Sequence, residues 1–196
     1  MTANVLATHD FEADRSRALL LRLYLGRGVL ALAWAAAFAR AHDTPGAIAI
    51  GLLVAYPLID AVSSLIDYRS RAAGPERRIT AFNGVLSTFA AAALGVAGSR
   101  GAGAALAVFG AWAVVSGAAQ VLVGLRRRGR EFGKQWPMLI AGGLSFFVGI
   151  VYAVQAVGDH PPLQKLSIYA TGGGVFFIVQ AGLLAWRSRQ ASAGVA

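Results

Sequence analysis

Two ionisable side chains stand inside apolar runs of this sequence. Asp60 lies in "YPLIDAVSSLID" (56–67), and Arg27 opens "RGVLALAWAAAFA" (27–39). In a bilayer such a group costs on the order of 3 kcal/mol by insertion scales, so it needs a partner or must be neutral. If the first run crosses outward from about Ala18, Arg27 is nine residues deep. If the second crosses inward, Asp60 is nine residues before Arg69. Equal depth on antiparallel neighbours favours an Arg27–Asp60 ion pair, and Asn83 in the third run is placed to join it. Two chemistries follow. The pair either locks the first hairpin in register or forms a protonatable site in an ion path. Transport sites usually show broken helices or several ionisable groups at the midplane. Here Pro57 offers a kink that could free a carbonyl, but Asp67 falls at the interface and no second acid lies at depth. The structural role is favoured.

Gln120 and Gln180 follow Asp60 at spacings of 60 and 60 residues, each six to nine residues before a basic stretch. Three polar groups at similar depth could meet at a bundle centre. Local hydrogen bonding within each hairpin, at about 0.6 kcal/mol per bond, is the preferred reading for the two glutamines.

Other chemistry is sparse. The sequence has no cysteine, which excludes disulfides and thiolate nucleophiles. His9, His42 and His160 are far apart and lack metal-ligand spacing. His42–Asp43 and Asp159–His160 are expected in outer loops as solvated pairs. No Ser–His–Asp set can be assembled, and "TGGGVFF" (171–177) lacks the lysine of a phosphate loop. No enzyme, cofactor or metal site is expected.

The elements that must hold Asp60 and Arg27 are set by composition. Of 196 residues, 57% are hydrophobic and only 14% charged, against about a quarter charged in soluble domains. Six apolar runs approach the ~20 residues that a spanning helix needs: 19–39, 45–66, 79–97, 102–125, 136–157 and 166–186. A spanning segment must satisfy its own backbone hydrogen bonds, so each run is predicted to be an α-helix. The expected fold is an all-α membrane protein of six transmembrane helices. A lead-in covers 1–18, the bundle 19–189 and a tail 190–196.

The net charge of +9 is distributed as a topology signal. Arg15, Arg17 and Arg22 form the N-terminal flank of the first run. Arg69, Arg71, Arg77 and Arg78 lie between the second and third, Arg126, Arg127, Arg128, Arg130 and Lys134 between the fourth and fifth, and Arg187 and Arg189 after the sixth. The other connections hold only Arg40, Arg100 and Lys165. Alternate loops are basic, which places both termini in the cytoplasm. Tyr68, Trp136 and Trp186 fit as interfacial anchors at that side. "GDHPPLQK" (158–165) reads as an outer turn. A nucleic-acid partner would want an accessible basic face, and none is evident. "AFA" (37–39) resembles a signal cleavage site, but the long lead-in and Arg27 argue for a retained helix.

The runs also look triplicated. "RGVLALAWAAAFA" (27–39), "NGVLSTFAAAALG" (83–95) and "GGLSFFVGIVYAV" (142–154) align Gly28, Gly84 and Gly143. Three hairpins are expected, over 19–71, 79–128 and 136–189, with Gly28, Gly84, Gly117, Gly143 and Gly149 as close-packing positions.

"GAWAVVSGAAQVLVGLRRR" (110–128) followed by "WPMLIAGGLSFFVGI" (136–150) resembles the HdeD-like acid-resistance membrane proteins, through Gly110, Trp112 and Gly117 and then Trp136, Gly143 and Gly149. The proline common in that family near the outer end of odd segments is absent at Ala41, Ser99 and Gly158. The resemblance implies a non-enzymatic inner-membrane role in acid or envelope stress, with six segments and internal repeats. Membrane lipids are the expected partners, with a homo-oligomer left open. The alternative is a proton-linked or small-solute transporter using Asp60 and Arg27.

Overall fold

The computed structural model describes residues 2–41, 46–70, 73–126 and 136–193, the side chains at 2–16, 76, 137, 138, 187–189 and 191–193 excepted. His42, Asp43, Arg71, Arg127, Arg128, Arg130 and Lys134 lie outside these residues, and the side chains of His9, Arg15, Arg187 and Arg189 outside the described side chains. Six α-helices and no strand are present among the described residues: α1 Thr2–Ala41, α2 Ala47–Ser70, α3 Pro75–Arg100, α4 Ala102–Arg126, α5 Trp136–Gln155 and α6 Lys165–Ala193.

Five of them contain stretches long and apolar enough to cross a membrane: 17–41, 47–70, 77–100, 102–126 and 165–186. In α5 the corresponding apolar stretch is shorter, Leu139–Gln155. The bundle's outer surface agrees, because large apolar side chains are exposed all around it. Ile48 is 75% exposed, Phe89 71%, Phe147 67% and Ile168 69%. Soluble monomers rarely leave such continuous apolar surface in water. The chain is a multi-pass, all-helical membrane protein.

The first helix is longer than the sequence suggested. Its 40 residues would reach about 60 Å at 1.5 Å per residue, twice the ~30 Å hydrocarbon core. The stretch expected as a lead-in continues the same helix. It holds alanine, leucine, arginine and glutamate, good helix formers, and neither glycine nor proline precedes Gly26. At the other end α6 runs on to Ala193, into the expected tail. Pro57 sits fully buried inside α2 without ending it. One turn earlier the carbonyl of Leu52 accepts the Trp34 indole N–H, so a polar group near the proline finds a partner on α1.

The helices form a ring. Each packs on its neighbours in sequence, and α1 closes on α6. The closest pairs are α2 with α3, α4 with α5, and α1 with α6. The expected hairpins α1–α2, α3–α4 and α5–α6 are the looser contacts, so tight packing is offset by one helix. Glycine placement is the cause. Along α4, Gly103, Gly110 and Gly117 recur every seven residues; Gly142 and Gly149 of α5, and Ala156 just past its end, do the same. A Cβ on Gly103 would meet Ala156 O at 2.7 Å, one on Gly110 would meet Gly149 O at 2.7 Å, and one on Gly117 would meet Gly142 O at 2.6 Å. A seven-residue repeat keeps one face turned to its partner over several turns. Gly28 and Gly174 make the same reciprocal approach between α1 and α6. Gly84 packs more loosely, its Cβ position 3.4 Å from Ser64 Cβ.

Gly143 does not belong to this set. Nothing lies within 4 Å of its Cβ position, whereas Gly142 is pressed on α4. Successive helical residues point about 100° apart, so only one of the two can face the seam. The α3–α4 connection is a single residue, Gly101, with φ +118°, where a side chain would be strained. On the α5–α6 side, the Tyr152 hydroxyl donates to Lys165 O at 2.7 Å and Lys165 Nζ donates to Gln155 at 3.1 Å. The "GDHPPLQK" stretch forms the turn between them, with Leu163 tucked under it, 8% exposed.

Candidate functional site

The ring's interior is filled by aromatic side chains rather than left as a pore. Tyr56 of α2 touches Trp34 of α1 (ring centroids 4.7 Å apart), Phe109 and Trp112 of α4 (5.8 and 5.9 Å) and Tyr169 of α6 (6.3 Å). Phe109 packs edge-on against Tyr169 at 5.3 Å. Offset and edge-to-face contacts of this kind add to the burial of the rings themselves. Tyr169 also shares a 2.6 Å hydrogen bond with Ser145 of α5.

One helical turn along α2 from Tyr56 is Asp60. Its Oδ1 accepts from the Arg27 guanidinium of α1 in a salt bridge. Its Oδ2 accepts from Asn83 Nδ2 at 2.6 Å and from Ser87 Oγ at 2.7 Å, both on α3. Asn83 uses its second N–H on Ser64 Oγ at 3.0 Å. Trp112 Nε1 of α4 donates to Ser87 Oγ at 3.1 Å. The Arg27 guanidinium lies over the Phe177 ring of α6, 4.5 Å from its centroid, and Phe177 stacks on Tyr24. Five of the six helices thus send a side chain to one carboxylate or to a group touching it.

The pieces come from short-range helical rules. Asn83 and Ser87 are four apart, as are Asp60 and Ser64, so each pair shares a helix face. The α2–α3 pairing turns those faces together. The Arg27–Asp60 pair follows from equal depth on neighbouring helices. The Asp60 and Arg27 side chains are 15% and 21% exposed, so the pair is largely removed from its surroundings, where a lone charge would be costly. A carboxylate is an acceptor only, and here both oxygens are occupied by donors.

Asp60, Arg27 and Asn83 are therefore brought together. Gln120 and Gln180 are not. Neither hydrogen-bonds to this network, and Gln120 lies against Gly142 on the α4–α5 seam. Ser87, Ser64, Trp112 and Phe177 complete the site and were not singled out for it from sequence. The i+4 spacing from Asn83 and Asp60 was the available signal for the two serines. Among the described residues, no three His, Asp or Glu side chains gather as a metal site.

A groove of about 450 Å³ runs between α1 and α2, lined by Arg22, Arg27, Leu30, Leu58, Val62 and other residues of those two helices. It reaches Arg27 from the outer surface of the ring.

No family model, curated protein or solved structure matches this chain.

Proposed function

We propose that the chain is a non-enzymatic protein of a bacterial-type inner membrane, with both termini in the cytoplasm, acting in acid or envelope stress resistance. In this reading the Asp60 centre is a structural lock. The observation that carries the lock is the engagement of both carboxylate oxygens: a cation on one and two neutral donors on the other. A site built to exchange protons needs an oxygen that can be reached and vacated, whereas this one is tied to three helices at once. The alternation of basic connections supports the orientation, and the likeness of 110–150 to the HdeD-like proteins supports the stress role.

Triplication belongs to the same proposal. Gly28 of α1 packs on α6, Gly84 of α3 on α2, and Gly142 of α5 on α4. Each odd helix thus presents a glycine to the even helix that precedes it around the ring, as three copies closed on themselves would.

The test has two arms. Asp60→Asn should lower the melting temperature in detergent, and Arg27→Leu in the same chain should restore most of it. Cells lacking the protein should survive an acid or envelope challenge less well than cells carrying it. Equal survival removes the stress role; unchanged stability in Asp60→Asn removes the lock.

The groove reaching Arg27 favours a second reading, a proton-linked or small-solute transporter. There Asp60→Asn would leave stability nearly intact and abolish proton-coupled flux in liposomes.

A further inference from the structure

The turn between α2 and α3 holds a second constellation, independent of the Asp60 centre. A cavity of about 480 Å³ lies there, lined by Tyr68 at the end of α2, Gly74 in the turn, and Pro75, Arg77 and Arg78 at the start of α3. Among the described side chains, which leave out that of Glu76 beside them, neither arginine pairs with a carboxylate. Arg77 lies over the Tyr68 ring, its Cζ 4.3 Å from the centroid, and its Nε is shut off from solvent with no hydrogen-bond partner. A buried donor left unpaired is unfavourable, and stacking on tyrosine fixes the guanidinium plane without satisfying that Nε–H, so it is the outer guanidinium nitrogens that face a ligand. No side chain caps the first turn of α3, which begins with Pro75, so the end of the helix that favours anions faces the same turn. Asp67, the neighbour of Tyr68 in α2, accepts from Thr80 at 3.5 Å.

This turn joins the stretches 47–70 and 77–100, both apolar enough to span. Crossing by both stretches would put the cavity at the polar boundary of the membrane, where lipid phosphates lie. Arginine's planar fork matches a phosphate bidentately. We propose that the cavity binds the phosphate of an anionic phospholipid headgroup, with Arg77 as the fork and Arg78 as a second charge. A free phosphate ion offers the same chemistry, but the bilayer supplies phosphate at this position continuously.

Native mass spectrometry of the full chain, purified from detergent micelles doped with phosphatidylglycerol and phosphatidylethanolamine, tests this. The chain with Arg77→Ala and Arg78→Ala is compared with a charge-matched control carrying Arg22→Ala and Arg126→Ala, two exposed arginines outside the cavity. Diffuse attraction contributes about fivefold per arginine wherever it stands near the surface, so it predicts equal loss in both. The cavity predicts roughly tenfold greater loss of bound phosphatidylglycerol in the first variant than in the control. Arg77→Lys keeps the charge and removes the fork. It should lose retention severalfold while melting like the wild type, and it carries the test if the double variant fails to fold. Equal loss in the two double variants, or full retention by Arg77→Lys, overturns the site. Displacement of the lipid by micromolar inorganic phosphate would assign the cavity to a soluble anion and overturn the lipid as its occupant.

Discussion

At Asp60 the cost of a carboxylate in an apolar bundle is offset by three donors, a cation on one oxygen and two neutral groups on the other. Removing its charge leaves Arg27 without a counter-ion in a largely buried position. Asp60→Asn is expected to destabilise the folded protein by on the order of 3 kcal/mol. The Arg27→Leu, Asp60→Asn pair should recover most of that, because no uncompensated charge is left in the bundle. A double-mutant cycle on thermal unfolding in detergent measures the coupling. Ser87 is the next residue to probe. It passes its own hydrogen to Asp60 and receives that of Trp112. Ser87→Ala should cost about 1 kcal/mol, since it orphans the indole N–H as well as one carboxylate bond. A change indistinguishable from zero would mean that the indole finds another acceptor.

The residues of this centre differ in how far the sequence exposed them. Arg27, Asp60 and Asn83 were legible because depth in a membrane can be counted from a basic boundary. Ser64 and Ser87 were implicit in the four-residue spacing. Trp112 and Phe177 were not, because their approach depends on how α4 and α6 are rotated around a closed ring, and one-dimensional spacing does not carry rotation between distant helices.

Among the elements, the α4–α5 seam states most clearly what glycine does here. Three glycines of α4 face Gly142, Gly149 and Ala156 so closely that a Cβ would strike backbone. Backbones approaching this far gain dispersion contacts that larger side chains would prevent. Gly117→Ala would put a Cβ 2.5 Å from Phe146 N, so the helices must part; a loss of about 1–3 kcal/mol is expected. Gly143→Ala meets open space and should be neutral or stabilising by up to ~1 kcal/mol through helix propensity. Comparing the two melting temperatures checks the seam; an equal response would show that Gly117, in the seam, and Gly143, outside it, are not distinguished. The sequence alignment had chosen Gly143, one residue and about 100° away from the packed face. Helix existence was legible throughout from apolar run length, as were most boundaries. The exceptions were the start of α1 and the end of α6; at the first, a charged segment of good helix formers extends a helix that hydropathy alone would begin near Leu19.

For the whole molecule, closure is the decisive feature. Hairpins drawn from sequence neighbours suggest three units side by side. The packing instead makes α1 and α6, the two ends of the chain, into one of the three tightest pairs. Arg27 then stands between Asp60 of α2 and Phe177 of α6, so the polar centre ties the closing seam to the rest of the ring. Because the native chain has no cysteine, closure can be read directly in the membrane. The most direct measurement is crosslinking by a short bifunctional thiol linker, in native membranes, of a chain carrying Tyr24→Cys and Phe177→Cys, positions whose rings lie 6.2 Å apart. Rapid, intramolecular crosslinking that weakens when Asp60→Asn is added is the predicted result. A folded protein in which the two cysteines fail to join, or join only between separate chains, would contradict the closed ring and the lock that holds it.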